Sequence, residues 1–230
     1  MPYYGNYGGG FLSGLPQVTK KLLTINVIMF LFTLVNQNFM VGTFAMFYPA
    51  SRYFHFWQPI THMFMHGGWA HIFFNMYALV MFGTVVENSL GWKKFITFYF
   101  VTGLGAAALH TGVEWLEAQY LLANGSTSAI TAYAALCHTP TLGASGAIFG
   151  LMVGFAMLYP QSVMTLWFPP ISMNAKWFVL IYVGIELVLG FTNTASGVAH
   201  FAHLGGALFG WLLLKWWKKT GRYYERERWI

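Results

Sequence analysis

The stretch Gly143-Ala144-Ser145-Gly146-Ala147-Ile148-Phe149-Gly150 sets one hydroxyl between glycines at the head of an apolar run that continues to Tyr159. Glycines on both sides remove side-chain bulk, so another helix or an extended peptide backbone can approach Ser145 closely. The pattern departs from the Gly-x-Ser-x-Gly elbow of soluble hydrolases, because Gly146 follows the serine directly and Ala147 takes the place of the second glycine. Taken alone, the segment reads more simply as a small-residue helix contact with an incidental serine. Pro160 cannot continue the helix, so the run from Ser145 to Tyr159 rises only about 22 Å. If its far end lies at the inner membrane surface, the Ser145 end stops several ångströms below the outer one, and a cavity admitting water is required there.

The surrounding composition calls for a bilayer. Of 230 residues, 57% are apolar, 20% aromatic and only 8% charged, too little polar surface for a soluble globule. Apolar runs suited to a hydrocarbon core about 30 Å thick cover Leu22 to Phe39, Ala70 to Val86, Phe95 to His110, Ser145 to Tyr159, Trp177 to Phe191 and Ala199 to Trp217. The expected fold is therefore all-α, a polytopic membrane protein with six transmembrane helices. Several runs are short, which implies helices ending inside the membrane or a thinned bilayer.

Charge orients the bundle. With the N-terminus in the cytoplasm, eleven of the 12 basic residues fall on the cytoplasmic side and only Arg52 outside, so both termini are expected to be cytoplasmic. The net charge of +6 then faces anionic lipid headgroups, and nucleic acid is not an expected partner. Residues 1–21 read as a flexible cytoplasmic arm, 22–217 as the membrane domain and 218–230 as a basic cytoplasmic tail. Lys20-Lys21 ahead of an apolar run resembles a signal sequence but lacks a small-x-small cleavage site, so the first span reads as a retained anchor. The single cysteine, Cys137, excludes an internal disulfide framework. Val41 to Trp69 is an aromatic connection expected to lie in the lipid interface. Thr111 to Leu142, with Glu114 and Glu117, is too polar for a seventh span.

The polar residues inside the spans carry the chemistry, because each is costly in hydrocarbon without a partner. His71 and Asn75 are spaced i, i+4 and share a helix face. Their plainer reading is a pair of interhelical hydrogen bonds. His62 and His66 have the same spacing, but no cysteine or aspartate is available to complete a metal site, so no metal and no cofactor are expected. His203 shares a face with Gly206, Ala207 and Gly210, and Gly146, Gly150 and Gly154 form a matching stripe, so the fourth and sixth helices are expected to pack closely. Glu186 is the one acid in a span; it reads as structural, protonated and hydrogen-bonded or close to the cytoplasmic part of the bundle, with a proton relay as the alternative.

Depth brings these residues together. The second, fourth and sixth helices all enter from the outer side, which puts His71, Asn75, Ser145 and His203 at one level in the outer half of the bundle. Ser145 opposite His203 has the chemistry of a nucleophile and its general base. The chain contains no aspartate and its glutamates read as poorly placed, so the expected mechanism is a dyad. Phe149, one turn after Ser145, is placed to stack on the imidazole. His71, Asn75 and the Ser145 amide are donors suited to a developing oxyanion.

Three signatures resemble those of the rhomboid intramembrane serine proteases: Gly-x-Ser-Gly at Gly143 to Gly146, His-x-x-x-Asn at His71 to Asn75, and Ala-His followed by glycines at Ala202 to Gly206. The resemblance covers Leu22 to about Trp217. It implies Ser145 as nucleophile, His203 as base, an oxyanion hole of His71, Asn75 and the Ser145 amide, and a transmembrane protein as substrate. It also implies a lateral gate near the fifth helix and, for this chain, a bacterial inner-membrane location. Two positions depart from the family pattern: Trp57-Gln58 replaces a common Trp-Arg, and Phe149 stands where several bacterial members carry tyrosine. Two other readings stay open on the residues alone, a catalytically silent rhomboid-like protein that binds membrane clients and a transporter using Glu186 in a proton path. The sequence does not fix the oligomeric state.

Overall fold

The computed structural model describes residues 11–165, 170–192 and 197–221. The first ten residues of the expected arm, and Arg222, Arg226 and Arg228 of the expected tail, lie outside the described residues. In chain order the helices are α1 (Gln17–Val35), α2 (Gln37–Phe44), α3 (Gln58–Thr61), α4 (Trp69–Ala78), α5 (Thr84–Leu90), α6 (Trp92–Asn124), α7 (Thr127–His138), α8 (Ser145–Leu158), α9 (Ala175–Thr192) and α10 (Gly197–Lys219). A π-helical turn, Leu79–Gly83, joins α4 to α5 into one continuous rod. A two-stranded antiparallel hairpin, β1 (Val163–Thr165) with β2 (Ser172–Asn174), links α8 to α9.

Among the described residues, four helices are long and apolar enough to cross a membrane: Gln17–Val35, Trp69–Leu90, Trp92–Asn124 and Ala175–Thr192. With the short apolar α8 and with α10 they make up the six expected. Helix α8 is surrounded. It buries ten of its 14 residues, as a helix that is hydrophobic all round must, and it stops at Leu158 just ahead of Pro160. The Lys218 ammonium donates to the Met157 carbonyl at 2.9 Å, which satisfies one of the carbonyls left open at that end.

The seam between α8 and α10 is made of backbone. A Cβ on Gly206 would overlap the Gly146 carbonyl oxygen, and one on Gly210 would stand 3.0 Å from the Gly150 Cα. Gly146 and Gly150 also face Ala106 and Thr102 of α6. Dispersion and close backbone approach take the place of hydrophobic burial inside a bilayer.

Several expected boundaries move. The third span was expected to end at His110, yet α6 runs to Asn124, capped by Gly125 at φ 63°; at about 1.5 Å per residue the helix is about 50 Å long and projects beyond the hydrocarbon. Residues 111–142, too polar for a seventh span, are mostly helical, with α7 started by Ser126, whose hydroxyl accepts from the Ala129 amide at 3.2 Å. The first span ends at Val35 instead of Phe39, because Asn36 breaks it and its side chain caps α2 by accepting from the Phe39 amide at 3.1 Å. Helix α1 begins at Gln17, ahead of Leu22, because the Glu87 carboxylate accepts from the Val18 and Thr19 amides at 2.9 and 2.7 Å and from the Thr19 hydroxyl at 2.8 Å. That carboxylate satisfies open N–H groups and complements the positive end of the helix.

The connection between α1 and α4 packs into the bundle, with Met63 in the main core and Tyr48 against Ala118 and Cys137. Ala45, Met46, Phe47, Tyr48, Met63 and Met65 are buried, and Met46 and Thr141 exchange backbone hydrogen bonds of 2.8 and 2.7 Å. Gln58 organises it. Its Oε1 accepts from the amides of Phe47 (3.3 Å) and His55 (3.1 Å), and its Nε2 donates to the Tyr53 carbonyl at 2.9 Å. A neutral amide suits this fully buried position, since it makes three bonds without a charge to desolvate.

Candidate active site

Ser145 is the first residue of α8, preceded by a turn at Gly143 with φ 134°, a conformation that favours glycine. Space demands glycine too: a Cβ there would stand 2.9 Å from His71 Nε2 and 3.6 Å from Ser145 Oγ. The turn is held from the loop below, where the His62 carbonyl accepts from the Gly143 amide at 2.9 Å. His62 Nδ1 meets the Gln58 carbonyl at 2.9 Å, and burial pushes its pKa down to about 4, with that hydrogen bond opposing the shift, so the ring is neutral and donates from Nδ1. His62 thus braces the Gly143 turn from the loop.

The imidazole of His203 reaches Ser145 from α10, its Nε2 2.9 Å from Oγ. Phe149 lies parallel to it, with ring centroids 4.2 Å apart and planes inclined by 5°. Tyr182 of α9 stacks on Phe149's ring at 5.2 Å and 12°. His71 flanks the Gly143 turn, and the Asn75 amide donates to the His71 carbonyl at 2.8 Å, which leaves a second N–H on the same nitrogen. The Ser145 N–H is among the first amides of α8 and has no partner within the helix. Ser145, His203, His71 and Phe149 therefore meet at the head of α8, and Asn75 is tied by its amide to the turn that carries His71. A cavity of about 60 Å³ adjoins them, lined by Ser145, His203, Gly143, His62, His110 and Thr141 among others. It is polar on one side and large enough for water.

Two features escaped the sequence reading. His66, fully buried, sets its ring edge against His71 with centroids 5.1 Å apart and so braces that ring. Glu186 is the larger correction, because its carboxylate lies beside the site instead of apart from it. Its Oε2 lies 2.5 Å from His200 Nδ1 and 3.1 Å from His203 Nδ1. The His200 contact is a directed hydrogen bond; the His203 contact has ion-pair distance without ideal hydrogen-bond direction. Counting could have found it: Glu186 stands six residues before the end of α9 and His203 six after the start of α10, each about 9 Å from the same end of the bundle.

Among the described residues, the group with metal-ligand spacing falls here rather than at His62 and His66. Glu186, His200 and His203 each offer an atom within 4.8 Å of the others. The 2.5 and 3.1 Å separations are direct-contact distances, whereas tetrahedral ligands held at about 2.0 Å from zinc stand about 3.3 Å apart. The cluster as it stands is a hydrogen bond from His200 and an ion-pair contact to His203, both on Glu186 Oε2.

With this geometry in place, the comparisons with known proteins become specific. Residues 53–217 match the family model described as the Rhomboid domain. The chain belongs to the rhomboid family. This rhomboid is 25% identical over 212 residues to the rhomboid protease AarA of Providencia stuartii, covering 88% of this chain and 73% of that one. It is 27% identical to the rhomboid protease GluP of Bacillus subtilis, over 87% of this chain and 34% of GluP. The mitochondrial RHOMBOID-like protein 6 of Arabidopsis thaliana is 30% identical over 158 residues, 68% of this chain and 42% of the relative. The rhomboid thus spans most of AarA but less than half of these other two. Membership and the apolar helices make it an integral membrane protein of all-α, rhomboid type.

Proposed function

We propose that this rhomboid is an intramembrane serine endopeptidase that hydrolyses a peptide bond in the transmembrane segment of another membrane protein. One observation carries the reading: a serine hydroxyl at a helix N-terminus, 2.9 Å from an imidazole nitrogen, within a bundle of membrane helices. The rhomboid proteases among its relatives support it.

In the proposed reaction Ser145 Oγ attacks the scissile carbonyl carbon as its proton passes to His203 Nε2. The oxyanion that forms is met by the Ser145 amide, aided by the positive end of α8, and by donors from His71 and Asn75. Collapse expels the amine, which takes the proton from Nε2. Water then attacks the acyl-enzyme by the same route in reverse, and the adjoining cavity gives it access. A substrate helix must be unwound locally before its carbonyls can be attacked, so helix-breaking residues near the cleaved bond are expected. The proposed setting is a bacterial inner membrane with both termini cytoplasmic.

The test compares wild type with Ser145→Ala and His203→Ala in detergent, using fluorophosphonate labelling and cleavage of a transmembrane model substrate. Both substitutions should lower cleavage by at least about 10³-fold in protein that stays folded. Cleavage that persists in the Ser145→Ala protein would remove this mechanism. A folded wild type inert toward label and substrates alike would favour the silent, client-binding reading.

A further inference from the structure

We infer that Glu186 is a positioning residue for His203 and that His200 holds Glu186 in place, so that the serine and histidine of the reaction are aligned by a third, charged side chain that takes no proton itself. The inference rests on the protease reading above.

The geometry supplies the argument. His203 presents Nε2 to Ser145 at 2.9 Å and Nδ1 to the Glu186 carboxylate at 3.1 Å. A general base needs a lone pair at Nε2, so the ring proton must reside on Nδ1. An acceptor facing Nδ1 selects that tautomer and stabilises the imidazolium that forms when the serine proton arrives. Glu186 is the acid facing that nitrogen, and its side chain is only 6% exposed. Through the cycle it keeps its charge and takes no proton. The single proton that moves travels from Oγ to Nε2 and on to the leaving amine.

His200 explains how a carboxylate persists there. A buried ionised acid is costly unless other donors share its charge, and His200 Nδ1 donates to the same Oε2 at 2.5 Å. The contact also ties α9 to α10, because Glu186 lies on the first and both histidines on the second. Stacking by Phe149 fixes the plane of the imidazole but cannot choose between its two tautomers. An acceptor at Nδ1 can, and it also stabilises the imidazolium.

The experiment measures kcat and KM for a transmembrane model substrate with wild type, Ser145→Ala, Glu186→Gln, Glu186→Asp, His200→Gln and the Glu186→Gln/His200→Gln double variant, together with thermal unfolding of each. Glu186→Gln should lower kcat on the order of 10²-fold with KM within about twofold, since the amide can present the wrong partner to Nδ1. Glu186→Asp should recover part of that loss, and His200→Gln should lower kcat by about fivefold. The double variant should be no slower than Glu186→Gln, because His200 acts through Glu186. A folded Glu186→Gln protein with kcat within about threefold of wild type would overturn the inference while leaving the protease reading intact. Cleavage by Ser145→Ala would remove both. If Glu186→Gln does not fold, Glu186→Asp and His200→Gln decide: unchanged kcat in both overturns the inference.

Discussion

Helices α8 and α9 both reach His203, and they do so in opposite ways. Helix α8 buries ten of 14 residues and meets α10 backbone to backbone at Gly146 and Gly150. Helix α9 buries four of 18, Ala175, Val179, Glu186 and Gly190, and turns Trp177, Leu180, Ile181, Val188 and Phe191 outward. One side of the site is fixed by contacts with no slack. The other is reached by two side chains, Tyr182 and Glu186, extended from a helix that packs along a single stripe. Close backbone packing is hard to displace, because any separation forfeits many short contacts together. Side-chain reach tolerates movement of the helix behind it.

The seam should therefore break first. In Gly206→Ala the new Cβ overlaps the Gly146 carbonyl oxygen, and neither partner is a flexible side-chain end that can swing aside. The two helices must separate, at a cost of about 3 kcal/mol, and His203 must retreat from Ser145. We expect a large fall in unfolding free energy in detergent together with loss of fluorophosphonate labelling. A folded Gly206→Ala protein that labels at the wild-type rate would show that the seam does not set the position of the imidazole.

The bridge between the two sides should give an intermediate effect. Phe149 lies between His203 and Tyr182 in a three-ring stack, so α9 supports the imidazole plane from behind. Removing the outer ring in Tyr182→Ala should cost about 1 kcal/mol of aromatic pairing and slow cleavage severalfold, while Tyr182→Phe keeps the stack and should match wild type. Equal slowing in both variants would show that the hydroxyl rather than the ring is the part that matters.

The same contrast explains what was legible in the sequence. Ser145, His71, Asn75 and His203 could be placed because each sits near the start of a helix entering from one side, where depth follows from a residue count. The glycine stripe could be placed because Gly146, Gly150, Gly206 and Gly210 repeat at helical spacing. Glu186 was misplaced because its partners lie on another helix and its own helix has little buried surface to fix its rotation. The length of α6 was hidden for a different reason: hydropathy reports where the membrane ends, and Glu114 and Glu117 lie on helix beyond that point. Gln58 looked like the loss of a family arginine, since only the folded loop reveals that three backbone groups converge on it.

The smallest effect should come from a glycine on the other helix. Gly184 of α9 has no heavy atom within 4 Å of where a Cβ would stand, and its backbone is ordinary helix. Alanine there meets no neighbour and removes the entropic penalty that glycine carries in a helix interior. Gly184→Ala should leave cleavage unchanged and raise stability by about 0.5 kcal/mol, read as a small upward shift in the thermal midpoint. Glycine-to-alanine changes of opposite sign in α10 and α9 would separate the packed side of the site from the reaching side by one methyl group. A Gly184→Ala protein that is stable yet slow would mean that α9 must bend at this glycine for substrate to enter, and the looseness of that side would then have a function of its own.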